Sequence, residues 1–368
     1  MIVERVDVFG YDLTYVHGDY VMSGGRVVSS LPSTLVRVTT DDGRSGWGES
    51  CPLGATYLPV HAEGVRAALR ELAPAVVGVD PTNLALVRDR MDGALRGHAA
   101  AKSPLDIACW DLFGQTCGQP VCAMLGGRRQ KRFPLYVAVP LGPAAEMAAY
   151  VEALRAEGVH RFQLKIGGDP CQDAERVRAV LAVTSDEEFV VADANGGWHL
   201  EDALRAVRLL EPLPRLFIEQ PCPTLEECRA VRAITQLPMV LDEIVHDIPS
   251  LLAAVELGGV AAVNLKLAKV GGLTGARALR DVADALGVSL TVEDTWGGDV
   301  TTAAVSHLAA SVRPELLFTA SFMNDWTNEH MAGHEPRSRD GFGSAPSGAG
   351  LGITVAAERL EPPLFTVD

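Results

Sequence analysis

FQLKI (162–166), VVADA (190–194), LFIEQP (216–221), MVLDE (239–243) and AVNLK (262–266) are five short apolar runs, each with a charged residue at or near its end. Those residues are Lys165, Asp193, Glu219, Asp242 and Lys266, and successive ones lie 28, 26, 23 and 24 positions apart. Each run has the length of a β-strand. Helix-like stretches such as DAERVRAVLAV, LEDALRAVRLL and LTGARALRDVADALG lie between them. A near-constant step of this kind is the signature of repeated strand–helix units.

Working outward, the same period predicts strands at 133–139, 161–166, 188–193, 215–220, 238–242, 261–266, 287–293 and 315–320. Eight such units close most naturally as a modified (β/α)8 barrel of the TIM type. The eighth strand has no full helix after it. Before the barrel, IVERVDVF and TLVRVTT alternate like strands, Asp41-Asp42-Gly43 is a turn, and GWGES is a further strand. Residues 61–73, 82–95 and 99–117 then read as helices. The expected organisation is an α+β capping domain over 1–126, a catalytic barrel over 127–325, and a segment 326–368 that packs back on the cap and completes it.

Composition narrows the function. The chain of 368 residues is 48% apolar and carries a net charge of −15 with no Lys/Arg-rich patch. That disfavours nucleic acid and anionic membrane as partners. MIVERVDVFGYDL has no signal-peptide core, and no apolar stretch approaches membrane-spanning length. Seven scattered cysteines without a C-x-x-C pair suit a reducing compartment. The expectation is a cytoplasmic protein without membrane or nucleic-acid partners; a homo-oligomer is compatible with the sequence, which fixes no stoichiometry.

Barrel active sites lie at the carboxyl ends of the strands, where all five charged residues fall. Counted along the barrel they occupy strands 2 to 6. Strands 2 and 6 are opposite in a ring of eight, so Lys165 and Lys266 face each other across the mouth. Asp193, Glu219 and Asp242 form an arc on one wall. Three carboxylates without His or Cys suit a hard dication, Mg²⁺ or alternatively Mn²⁺, and without one they raise one another's pKa. Two opposed lysines can remove and deliver protons at the α-carbon of a small substrate whose carboxylate binds the metal. Burial, the dication and the opposing ammonium are expected to lower their pKa values into the working range.

These stretches resemble the enolase superfamily, specifically its muconate-lactonizing-enzyme subgroup. The resemblance spans nearly the whole chain through WGES, WDLFGQTCGQPVCAMLGG, QLKIGGDP, ADANGGW, IEQPCPTLEE, LDE and NLKLAKVGG. It implies Asp193, Glu219 and Asp242 as metal ligands and Lys165 and Lys266 as the two bases, with Glu243 and Lys269 the alternatives that strand alternation leaves to be decided. One departure stands out: many relatives carry Lys-x-Lys on the second strand, and this chain has Gln163-Leu164-Lys165.

ESCPLGATYLP, EDTWGGD and SFMNDWTNEH are similar to members of the subgroup that act on proline derivatives. The implied activity is Mg²⁺-dependent dehydration of cis-3-hydroxy-L-proline, with proline 2-epimerase activity on the side. The alternatives are 2-epimerisation of proline betaine or 4-hydroxyproline betaine, and a carboxylate-binding barrel without catalysis. Tyr57, Asp294, Trp296 and Trp326 are the expected surround of the substrate's ring nitrogen, Asp294 as partner of a secondary ammonium and the aromatics as a cage for a quaternary one. Gly18, Gly24 and Gly25 mark residues 18–26 as a lid. Glu329–His334 contains two His four apart and 348–352 is Gly-rich, but neither has the setting of a zinc or nucleotide site.

Overall fold

The computed structural model describes all residues from Met1 to Asp368. The cap begins with an antiparallel sheet whose order is Phe365–Val367, Val3–Thr14, Ser30–Thr40 and Ser45–Ser50. The alternating first run pairs with the second from Val3 opposite Thr40 to Thr14 opposite Ser30, so one face of valines and leucines turns inward. Three helices, Ala62–Val76, Leu84–Ala94 and Ala99–Cys117, cover that face.

Glycines in GWGES let the third helix lie directly on the sheet. A Cβ at Gly48 would sit 1.8 Å from the Pro104 carbonyl oxygen, and one at Gly46 would sit 2.3 Å from that of Ala108. Any larger residue forces the helix off the strand.

The barrel strands are β1 (Val137–Val139), β2 (Arg161–Lys165), β3 (Phe189–Asp193), β4 (Leu216–Glu219), β5 (Met239–Leu241), β6 (Val260–Lys266), β7 (Ser289–Glu293) and β8 (Leu317–Ala320). They pair in parallel and in sequential order. A bridge between Leu135 and Ala320, with the Tyr136 amide donating to the Ala320 carbonyl at 3.0 Å, joins the two ends of the sheet. All but the last strand are followed by an α-helix; after β8 the chain makes only a short 3₁₀ turn at Met323–Trp326. Helix starts follow sequence signals. Asp169 caps the helix Pro170–Val183, with Pro170 in its first turn, and Asp247 with Ser250 forms a capping box before Ile248–Glu256.

One helix borrows its cap from the other domain. Asp299–Ala310 has no side-chain cap of its own. Glu49, fully buried in the cap sheet, accepts hydrogen bonds from the Gly298 amide at 3.0 Å and the Thr301 amide at 2.9 Å, and from Ser33 Oγ and the Tyr11 hydroxyl. A carboxylate at a helix N-terminus is stabilised by the macrodipole. Glu49→Ala leaves two buried amides and two hydroxyls without this acceptor, so it is expected to destabilise the protein by about 2–4 kcal/mol in urea unfolding. A loss below about 0.5 kcal/mol would show that the contact contributes little.

Candidate active site

The register of the barrel sets the functional layer. Lys165 lies beside Asp193, Asp193 beside Glu219, and Lys266 beside Glu293, each at the carboxyl end of its strand. Asp242 is one residue past β5. The five residues singled out by the sequence are thus gathered in one mouth, all nearly inaccessible to solvent.

Lysines and carboxylates meet directly there. Lys165 Nζ donates to Asp193 Oδ2 at 2.5 Å, and Lys266 Nζ donates to Asp242 Oδ2 at 2.6 Å. Lys269 Nζ grips Asp242 from the other side, donating to its Oδ1 at 2.8 Å and its carbonyl at 2.6 Å. Glu219 meets no lysine at hydrogen-bond distance. Gln163 Nε2 lies 3.1 Å from both its oxygens, and Asn264 Nδ2 donates to Oε1 at 2.8 Å. Asn195 donates through its amide side chain to Asp193 at 2.8 Å and to Glu243 at 3.1 Å.

The titration behaviour follows from these contacts. Burial and the neighbouring Asp193 and Asp242 charges push Glu219 well above the usual carboxylate range. Burial and the same two charges push Glu243 up to about 7. Asp242 moves the other way: burial works to raise it, but Lys266 and Lys269 outweigh burial and hold it below the usual range. The lysines, expected to be lowered by burial, a dication and the opposing ammonium together, stand differently in the metal-free arrangement. Burial does push Lys165 and Lys266 down, but contact with Asp193 and with Asp242 and Glu293 prevails, so both stand above the ordinary lysine value. An ammonium against a carboxylate in a dry site keeps its proton.

No three acidic, histidine or cysteine side chains converge at ligand distance in this arrangement, because lysines occupy the oxygens of Asp193 and Asp242. The donor set nevertheless fits a hard dication. Five carboxyl groups (Asp193, Glu219, Asp242, Glu243 and Glu293) share the layer with three ammoniums (Lys165, Lys266 and Lys269), a deficit of two positive charges when all five are ionised. Glu243 Oε2 and Asn195 Oδ1 are buried oxygens without a donor. All are oxygen ligands of the kind Mg²⁺ prefers.

An aromatic and apolar rim closes the mouth. Tyr20, Met22, Leu53, Tyr57, Trp296 and Trp326 line the same narrow cavity as Lys165 and Lys266. Tyr20 and Met22 belong to the hairpin formed by residues 20–28, which folds over the site from the cap. Tyr57 reaches in from the 51–59 loop; its hydroxyl donates to Asp242 Oδ2 at 2.8 Å and accepts from Lys266 Nζ at 2.5 Å. Trp296 and Trp326 meet edge to face with centroids 5.7 Å apart.

Asp294 is the misplaced expectation. Its carboxylate accepts from the backbone amides of Ala268 and Thr295, at 3.1 and 2.7 Å, and it does not line the cavity. Burial, opposed by those amides, leaves it raised to about 7. Strand alternation turns Glu293 inward instead. Reading the sequence also missed Tyr136 and Asn264, which join Glu293, and the part played by Gln163. The signal was present for two of them: Gln163 and Asn264 stand two residues before Lys165 and Lys266 and so share their faces.

The other motifs find structural employment. His330 and His334 stack with centroids 4.0 Å apart against Asp299 and Asp325, and Gly350 packs on Asp111 of the third cap helix. No helix is long and apolar enough to cross a membrane.

Comparison with known proteins gives this architecture its relatives. Residues 15–126 match the mandelate racemase/muconate lactonizing enzyme N-terminal domain, and 146–359 match the enolase C-terminal domain-like family. The chain belongs to the enolase superfamily. Among enolase-superfamily relatives, the cis-3-hydroxy-L-proline dehydratase of Roseibium aggregatum is 42% identical over 364 residues, 99% of each chain. The N-succinyl-L-Arg/Lys racemase of Bacillus cereus is 29% identical, over 84% of this chain and 86% of that one. A mandelate racemase/muconate lactonizing enzyme-type protein of Roseovarius nubinhibens ISM, crystallised in complex with magnesium, superposes with a TM-score of 0.96 at 39% identity, covering both chains completely.

Proposed function

We propose that the protein is a hydro-lyase that converts cis-3-hydroxy-L-proline to Δ¹-pyrroline-2-carboxylate. The observation that carries this reading is the 42% identity to a dehydratase of that substrate along 99% of both chains. The opposed lysines supply the chemistry. Asp193, Glu219 and Asp242 would hold the Mg²⁺. The bound ion would neutralise the substrate carboxylate, acidify the α-carbon, and compete with the lysines for the same carboxylates, favouring the neutral amine that a base requires.

In the cis isomer the hydroxyl shares a ring face with the carboxylate, so the α-hydrogen lies on the opposite face. One lysine takes that proton while the lysine across the ring protonates the departing hydroxyl. The Cα–H and C3–O bonds break, a Cα–C3 double bond forms, water leaves, and the enamine tautomerises to the imine. Tyr57, Trp296 and Trp326 would enclose the ring and exclude water.

A 2-epimerase of proline betaine is the second reading, favoured by the aromatic rim, which suits a quaternary ammonium. It needs only that the second lysine deliver its proton to carbon. The test is a pair of incubations of the Mg²⁺-loaded protein with cis- and trans-3-hydroxy-L-proline, followed by proton NMR. The expected product comes from the cis isomer alone. Consumption of the trans isomer at an equal rate would contradict anti elimination, and inertness toward both would leave the epimerase as the better reading.

A further inference from the structure

Glu293 lines the cavity beside Lys266, yet it belongs neither to the expected metal ligands nor to the two bases. It is 1% exposed, and each of its oxygens is held. Oε1 accepts from Asn264 Nδ2 at 3.1 Å and lies 3.5 Å from Lys266 Nζ, and Oε2 accepts from the Tyr136 hydroxyl. Asn264 fixes more than one group, since the same Nδ2 also donates to Glu219. Tyr136 enters from the chain just before β1, on the opposite flank of β7 and β8 from Lys266. Glu293 is therefore clamped between β6 and the start of the barrel, where it cannot swing away.

The two lysines differ in this respect. Lys165 has one carboxylate at hydrogen-bond distance, Asp193. Lys266 has Asp242 at 2.6 Å and Glu293 at 3.5 Å. If Asp193 and Asp242 both serve the dication, each lysine loses the carboxylate that now orients it. Only Lys266 retains a second, rigidly mounted acceptor.

We propose that Glu293, clamped by Tyr136 and Asn264, is a positioning residue that aims the Lys266 amine at its face of the substrate, with no counterpart for Lys165. This rests on the two-lysine reading above. Its signature is one-sided: weakening Glu293 impairs proton abstraction from one ring face and spares the other. A general loosening of the barrel would impair both.

The experiment measures α-deuterium incorporation from D₂O into L- and D-proline betaine separately, with Mg²⁺-loaded wild type, Lys165→Ala, Lys266→Ala, Glu293→Gln and Tyr136→Phe. The lysine variants identify which enantiomer each lysine serves. Glu293→Gln is expected to lower exchange of the Lys266-dependent enantiomer about tenfold and to leave the other within about twofold. Tyr136→Phe, which removes one hydroxyl, is expected to shift the same enantiomer in the same direction by about threefold, so a poorly folded Glu293 variant does not decide the matter. Mg²⁺ affinity measured by calorimetry is expected to stay within about twofold of wild type in both. Equal losses for both enantiomers, or no loss for either, would overturn the assignment while leaving the two-lysine scheme intact. Absence in the wild-type protein of both this exchange and cis-3-hydroxy-L-proline dehydration would remove that scheme, and this inference with it.

Discussion

Replacing Lys165 by Ala is expected to lower kcat/KM for cis-3-hydroxy-L-proline by about 10⁴-fold, and replacing Lys266 is expected to do the same. Under the proposed scheme dehydration needs a base on one face and an acid on the other, and β2 and β6 each place one lysine at the same cavity. Losing either stops the elimination, so the double variant is expected to be little worse than the singles. Any interconversion of proline betaine enantiomers by the wild-type protein is expected to fail in both single variants for the same reason. A single variant that still interconverts them would sink the two-base scheme. The measurement belongs in Mg²⁺, because removing one ammonium from a metal-free site adds an unpaired buried carboxylate to a layer that already carries two in excess.

Glu219→Gln is expected to separate activity from stability. Turnover falls on the order of 10³-fold, because the central carboxylate of the arc no longer carries charge to a dication. The metal-free protein, however, becomes more stable by about 1–3 kcal/mol near neutral pH. Glu219 is fully buried, no ammonium reaches it, and burial with the Asp193 and Asp242 charges raises its pKa far above that of a free carboxylate. Its amide replacement keeps the shape and drops the repulsion.

The sign of the pH dependence follows from the same shift. A carboxyl with a raised folded-state pKa contributes stability that is fully present below its unfolded value, about 4.3, and is lost as pH rises through the folded value. Metal-free wild type is therefore expected to lose stability relative to the Gln variant as pH rises from about 5 toward 8. Saturating Mg²⁺ is expected to raise the melting temperature of wild type and to leave that of the variant nearly unchanged. A wild type more stable than the variant without metal, at neutral pH, would contradict this account of the charge balance.

The barrel was legible because its period is carried by apolar runs with charged ends, and a βα repeat admits few closures. Lys165, Asp193, Glu219, Asp242 and Lys266 were legible for the same reason, since each is the terminal residue of its strand or the one just past it. Asp294 shows where this reasoning ends. Glu293 and Asp294 are adjacent, and only the register of β7 against β6, which pairs Glu293 with Lys266, decides which of them faces the cavity. A one-residue uncertainty in a strand end reverses that choice.

Glu49 shows another kind of limit. It sits in a recognisable strand, yet its partners, Gly298 and Thr301, are some 250 positions away, and only the docking of cap on barrel brings them together. Lysine protonation was expected to follow burial, the dication and the opposing ammonium together; in the metal-free arrangement the carboxylates that the register sets against Lys165 and Lys266 prevail instead. Tyr57 and the two tryptophans were found through their loops, and the structure brings all three to the rim of one cavity.

The most direct measurement is proton NMR of cis-3-hydroxy-L-proline incubated with the purified protein and Mg²⁺ in D₂O. The account predicts loss of the α-proton signal together with appearance of Δ¹-pyrroline-2-carboxylate, at a rate abolished by chelating the metal. Hydroxyproline that binds the protein but keeps its α-proton and its hydroxyl through prolonged incubation would contradict it.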